Sequence, residues 1–362
     1  MEGAKYNMKK LLLAIILPIA LFTSCSDKNS KVENNQQNTS NVQVKSDPEI
    51  KINISDYYPI KENMEYKFAG EGNEYAAKDV YVDYIKDNKV QLRIITGGTT
   101  SINIVERTDD AVTLLNSNGE IYHKINYIDS PSDFKKEILI KSPIKVGTSW
   151  TIPNGDKRSI TALDKVIKTP IGDLKALEIK TEGKENVTWD YYVKDMGHVK
   201  TVYEDTKNPD FKVITEIKEI KGNTPLTQNV KFYYIKSEPT EFITSGVNRD
   251  IKLNTNQDVN ESFEKYLKSP ENKELIPVFS KNTKINKIGI NLDNNIAYID
   301  LSKEFVNEMN AGSEVEARKV EAVAYTVGNY YNSKEVLLTV DGEPYAGGHI
   351  AFKKGETIKI KQ

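Results

Sequence analysis

The stretch VYVDYIKDNKVQLRI, residues 80–94, decides how the first half of the chain folds. Val80, Val82 and Tyr84 alternate with Tyr81, Asp83 and Ile85, and Val90, Leu92 and Ile94 alternate with Gln91 and Arg93. A period of two places each set on one face of a strand. Asp87-Asn88 between them is the polar pair that a tight hairpin requires. Working outward, Asn118-Gly119 and Asn154-Gly155 repeat the turn signal, since Gly accepts the positive φ of a primed turn. Further strands are predicted at 102–105, 112–115, 136–140, 159–166, 174–180, 187–193, 198–202 and 212–217. So many short strands with closely spaced turns predict a β-rich module over residues 48–222, either a β-sandwich or a half-open barrel.

Beyond Lys221-Gly222-Asn223-Thr224-Pro225 the period changes. Residues 230–236 form a strand. Asp258-Val259-Asn260-Glu261 reads as an N-cap with an acidic partner, opening a helix with Val259, Phe263, Tyr266 and Leu267 on one stripe and Pro270 at its end. Ile288, Ile290 and Leu292 face Ala297, Ile299 and Leu301 across Asp293-Asn294-Asn295 as a hairpin. Ser313-Glu314-Val315-Glu316 is a capping box, and the helix after it carries Val320, Val323, Ala324, Val327 and Tyr331 on one side. Glu321 falls on the opposite side. A strand at 335–341 and a hairpin over 345–360 close a two-helix α+β domain, residues 224–362. The fold class expected is therefore mixed.

The N-terminal residues carry a different signal. Lys5, Lys9 and Lys10 precede LLLAIILPIALF, residues 11–22, which is too short to span a bilayer and is interrupted by Pro18. Residues 1–24 are expected to be a signal peptide. Leu21-Phe22-Thr23-Ser24-Cys25 resembles a bacterial lipobox, with Phe22 where that pattern prefers Leu. Cys25 is then the lipid-attachment residue, carrying the acyl (palmitate-type) chains that hold the protein on the membrane. Residues 25–47, rich in Asn, Gln, Ser and Lys, hold too few apolar side chains to offset their own ordering entropy and are expected to be a disordered tether. Its coil-like reach is on the order of 26 Å.

Composition and motifs restrict the chemistry. With 50 Lys+Arg against 52 Asp+Glu, no charge excess draws the chain onto nucleic acid. One cysteine allows neither an internal disulfide nor a thiolate zinc site. His123, His198 and His349 are scattered, and His198 and His349 read as ordinary strand residues. Ser262-Phe263-Glu264-Lys265 matches S-x-x-K without the S-D-N or K-T-G elements that would make it a penicillin-recognising site, so it reads as one helix face. Asp109-Asp110 and Asp293/Asp300 fall at turns or strand ends, where carboxylates cap backbone donors. No catalytic, cofactor-binding or metal-ligating residue is assigned, and no cofactor is expected. A hydrolase with an unrecognised site is the third-ranked reading.

Two resemblances give these readings a context. Val146-Gly147-Thr148-Ser149-Trp150, Lys168-Thr169-Pro170-Ile171-Gly172 and residues 191–200 resemble β-rich modules of lipoproteins from spore-forming Gram-positive bacteria, modules with no known chemistry. Leu275-Ile276-Pro277, residues 284–292, residues 296–305, Val323-Ala324-Tyr325-Thr326-Val327 and Val340-Asp341-Gly342 together resemble the GerM-type sporulation and spore germination domain over about residues 230–341. Residues 240–256 stand as a long insert in that pattern. The resemblance implies a non-enzymatic envelope protein on the outer face of the cytoplasmic membrane, acting in sporulation or germination through contacts with other envelope proteins, self-association included. The alternative is a cell-wall accessory lipoprotein. In that reading exposed tyrosines of the pairs 57/58, 191/192, 233/234 and 330/331, with Trp150 or Trp189, stack on peptidoglycan sugars.

Overall fold

The computed structural model describes residues 52–360. Cys25, the signal segment and the tether lie outside them. The two-residue alternation around residue 80 becomes a sheet of twelve antiparallel strands. In chain order these are β1 (Glu65–Glu71), β2 (Lys78–Lys86), β3 (Lys89–Thr96), β4 (Thr100–Arg107), β5 (Ala111–Asn118) and β6 (Glu137–Lys141). They continue as β7 (Ser149–Thr151), β8 (Lys157–Thr169), β9 (Gly172–Glu182), β10 (Asn186–Val193), β11 (Gly197–Asp205) and β12 (Lys212–Lys221). A short helix, α1 (Ile54–Tyr57), precedes them.

The spatial order runs β6-β5-β4-β3-β2-β1-β12-β11-β10-β9-β8-β7, so the first and last strands of the region pair in the middle and two edges remain. Those edges are brought together by side chains. Trp150 Nε1 donates to the Ile138 carbonyl at 3.0 Å, and Arg158 donates to the same carbonyl and to Glu137 at 2.7 Å each. The sheet is thus a nearly closed barrel, with polar bridges where a last ladder would run. Of the two expected architectures, the barrel is the one formed.

Two of the three turn signals act as hairpins. Asp87, at φ 54°, and Gly155, at φ 93°, take the left-handed backbone their turns need. Asn118-Gly119 does not: β5 ends there and residues 119–136 run as an irregular strap across the outer face of β3 and β4. Polar side chains on that face recruit it, Arg93 donating to the Ile121 and His123 carbonyls and Gln91 to that of Ile125.

The remaining elements are β13 (Leu226–Ser237), β14 (Phe242–Leu253), α2 (Asn260–Lys268), β15 (Leu275–Ile276), β16 (Ile285–Asn291), β17 (Ile296–Leu301) and α3 (Glu304–Asn307). After these come α4 (Ser313–Tyr331), β18 (Glu335–Val340), β19 (Glu343–Pro344) and β20 (Ile358–Lys359). β17 and β18 are parallel, which requires the crossover that α4 supplies. The expected helical stripes pack as read: Val259, Phe263 and Leu267 of the α2 region, and Val320, Val323, Ala324, Val327 and Tyr331 of α4, are buried in one core. No helix among the described residues is long and apolar enough to cross a membrane.

Four expectations for this half are corrected. The stretch taken as an insert, 240–256, is mostly strand β14, paired with β13 in unbroken register from Leu226↔Leu253 to Ser237↔Phe242. Asp258 does not cap α2: the N-cap is Val259, and the Asp258 carboxylate instead accepts the Tyr84 hydroxyl at 2.8 Å. Glu316 closes no capping box. It is buried inside the domain, accepting from the Tyr345 hydroxyl at 3.0 Å and from the His349 and Ile350 amides at 3.0 and 3.2 Å. Glu321 is not on a free face, since it accepts from Thr244 Oγ1 at 2.6 Å and pairs with Arg318 at 2.9 Å. For Asp258, Glu316 and Glu321 a donor distant in the chain takes the carboxylate.

Candidate functional site

Alternation within the barrel strands directs a consistent set of side chains inward. Val80 and Val82 on β2, Val90, Leu92 and Ile94 on β3, Val105 on β4, Leu114 on β5 and Leu139 on β6 line a cavity of about 280 Å³. That volume lies at the lower edge of the roughly 300–1,000 Å³ typical of small-molecule sites. Aromatic walls come from Tyr66 and Phe68 on β1 and Tyr192 on β10. Burial raises the pKa of the Tyr66 and Tyr58 phenols, keeping them neutral.

The polar lining is small. Asp190 on β10 accepts from Thr201 Oγ1 on β11 at 2.7 Å, and His198 Nε2 lies 3.2 Å from the same carboxylate oxygen and 2.9 Å from Thr201 Oγ1. Burial pushes the Asp190 pKa up, but the hydrogen bonds from His198 and Thr201 outweigh it and hold the carboxyl below its ordinary range. Lys78, at the start of β2, completes the group. Its Nζ sits 5.0 Å from the centre of the Phe68 ring, and among the described residues its side chain makes no hydrogen bond or ion pair. Burial pulls its pKa down, opposed by the Asp190 charge.

An Asp, a His and a Thr in one cavity invite comparison with a catalytic triad, and the geometry refuses it. In a triad the carboxylate holds one imidazole nitrogen while the other faces the hydroxyl. Here one nitrogen, Nε2, faces both, and the Thr201 hydroxyl hydrogen is committed to Asp190. The arrangement is therefore not that of a triad. No group of three or more His, Cys, Asp or Glu side chains among the described residues could hold a metal ion.

The other residues singled out in the sequence lie elsewhere. His123 is buried in the strap, with Nε2 2.9 Å from the Tyr127 hydroxyl. His349 offers its backbone to Glu316. Lys265 of the S-x-x-K stretch is exposed on α2 and lies over the Tyr266 ring at 5.1 Å. Asp300 accepts from Thr339, Gly342 and Asn286, a cap on the turn at Asp341-Gly342. Of the residues named for sugar stacking, Trp150 is buried with its indole N–H bonded, Tyr57, Tyr191, Tyr192, Tyr234 and Tyr331 are buried, and Tyr58, Trp189, Tyr233 and Tyr330 are half-buried. The apolar alternation at 80–94 is the sequence signal for the cavity, and it does not by itself distinguish a lined cavity from a packed core.

Residues 231–346 match the Germane family, described as sporulation and spore germination. The C-terminal part of this chain carries a Germane domain. Two features bound it: β13 starts five residues before the match, and Glu316 inside the domain takes two of its hydrogen bonds from His349 and Ile350 beyond it. Among solved structures, the tandem GerMN domains of the sporulation protein GerM from Bacillus subtilis are 19% identical, with 33% of this chain and 40% of that chain covered at a TM-score of 0.26. A Clostridium perfringens protein assigned as a lipoprotein is 21% identical over 37% of this chain and 87% of that one, with a TM-score of 0.23. An exported protein with a YmcC-like fold from Bacteroides fragilis is 12% identical over 46% and 98%, with a TM-score of 0.32. At these scores none of the three lends this chain a fold or a role. No curated protein matches it.

The Germane domain is bonded to the barrel and its strap. Lys124 Nζ donates to the Asn254 and Gln257 carbonyls in the loop between β14 and α2, at 2.7 Å each, and lies 4.6 Å from the centre of the Tyr84 ring. The Lys124 amide donates to the Tyr330 hydroxyl at 2.9 Å, and Thr255 exchanges hydrogen bonds with Asn63 at 2.8 Å. Beneath the strap, Arg93 and Asp83 form an ion pair at 2.9 Å with side chains 1% and 0% exposed.

Proposed function

We propose that this protein is a lipid-anchored, non-enzymatic envelope protein of a spore-forming Gram-positive bacterium, acting in sporulation or spore germination through protein–protein contacts. The Germane match over residues 231–346 carries the reading. The hydrogen bonds at Lys124, Thr255 and Asp258 support it, because a domain tied to a barrel presents its outer surface in one orientation to a partner. Cys25 supplies the anchor.

Deletion of the gene in a sporulating host should lower the yield of heat-resistant or germinating spores. The full chain should restore it, and site-specific cross-linking from the Germane domain should trap an envelope protein only in sporulating cells. Cys25→Ala should abolish incorporation of labelled palmitate and reduce the rescue. Normal spore yield and germination in the deletion strain would overturn the role; label retained by Cys25→Ala would overturn the anchor.

A further inference from the structure

We propose that the barrel cavity binds a single-chain amphiphile with an anionic head group, its hydrocarbon chain among the valines and leucines of β2 to β5 and its head beside Lys78. The walls and the charge make the case together. Val82, Leu92 and Val105 give the chain a dry lining, and a cavity of about 280 Å³ holds one chain but not a two-chain lipid.

The polar groups then select the head. Asp190, His198 and Thr201 satisfy one another, so they offer little to a ligand. Lys78 is different: it lines an apolar cavity over the Phe68 ring, feels the Asp190 charge, and makes no hydrogen bond or ion pair among the described residues. A half-buried ammonium with no hydrogen-bond acceptor is under-solvated, and a carboxylate or phosphate brought by a ligand supplies a charge-assisted hydrogen bond. Position agrees with this. Phe68 lies 6.0 Å from His198, ring to ring, so Lys78, Phe68, His198 and Asp190 gather at one end of the cavity. Residues 58–61 also border the cavity, and Lys61 is exposed and donates to the Asp195 carbonyl beside Met196 and Gly197.

Fatty acids and lysophospholipids share this chemistry, and the test separates them. The full chain carrying Cys25→Ser, so that no anchor acyl chain competes, is titrated calorimetrically with laurate, lauroyl lysophosphatidylglycerol, dodecanol and dodecyltrimethylammonium, each below its micelle concentration. One-to-one binding of laurate or of the lysophospholipid is expected, at least tenfold tighter than dodecanol or the cation. Which of the two binds tighter identifies the source of the head group. Lys78→Met should weaken the anionic ligand at least tenfold and leave dodecanol unchanged, whereas Lys78→Arg should retain affinity. Leu92→Trp, which fills the cavity, should remove binding of every probe, with an unchanged far-ultraviolet spectrum showing that the barrel remains folded. Failure of both anionic probes to bind, equal binding of the cation, or an unchanged affinity in Lys78→Met overturns the proposal. The inference does not depend on the sporulation role: a chain that sporulation needs but that binds no anionic amphiphile overturns this inference alone.

Discussion

The Tyr84 hydroxyl on β2 donates to the Asp258 carboxylate at 2.8 Å, joining a barrel strand to the residue that leads into α2. Removing the hydroxyl leaves the barrel intact and loosens the Germane domain. Tyr84→Phe should cost about 1 kcal/mol, the net worth of one such bond. In urea melts of Tyr84→Phe, Asp258→Ala and the double variant, the two losses should overlap by at least about 0.5 kcal/mol. Strict additivity would mean that the bond does not form in solution.

Arg93 and Asp83 should behave as a unit. Arg93→Met leaves a buried carboxylate and the Ile121 and His123 carbonyls without their donor, a loss of about 3–5 kcal/mol. The combined change Arg93→Met with Asp83→Leu removes both charges and should recover part of that stability. Equilibrium unfolding of the three chains measures it, and a double variant no better than the single one would show that the strap, rather than the charge, is what Arg93 supports.

His123 gives the fold a pH dependence. Burial, aided by the Arg93 charge, pulls its pKa down from 6.5 to about 4. The unfolded chain therefore takes up a proton between those values that the folded chain refuses. Stability from this group is complete above about pH 6.5, falls as the pH drops toward about 4, and falls no further below it. The full loss is about 3 kcal/mol. His123→Gln should flatten the change in unfolding free energy between pH 7 and pH 4.5 relative to the parent, and an unchanged slope would place the histidine in contact with water.

Val323 and Glu321 lie two residues apart on α4 with unequal duties. Val323 is 0% exposed, so Val323→Asp buries an unpaired carboxylate and should cost several kcal/mol, enough to unfold the chain or nearly so. Glu321→Lys should cost about 1 kcal/mol, more than a free surface position, because Thr244 and Arg318 both lose their acceptor; the pair with Arg318 is partly exposed and screened. Urea melts of the full chain rank the two, and a parent-like Val323→Asp would show that α4 is not docked on β13.

Strand and helix periods survive into the structure because burial enforces them locally. The valines of β2 and β3 point where a two-residue repeat sends them, and the stripe from Val320 to Tyr331 faces the core that a 3.6-residue repeat selects. β14 escaped that logic. Its inward face mixes Val247, Ile251 and Leu253 with Ser245 and Arg249, so the apolar alternation is broken, and its identity as an edge strand rests on the ladder that β13 offers it.

By itself the sequence determined the periods, most of the turns, the helical stripes and the motif order of the Germane domain, all properties of neighbours along the chain. Tertiary structure alone decided which polar groups meet. Asp258 and Glu316 look like helix caps to their sequence neighbours, yet they take donors from Tyr84 and Tyr345, distant in the chain and near in space. The cavity belongs to the same class of fact. Lys78, Asp190 and His198 come from strands at separate places in the chain, and only barrel closure brings them to one end of an apolar space. A charge's partner is set by distance through the fold, which no local pattern encodes.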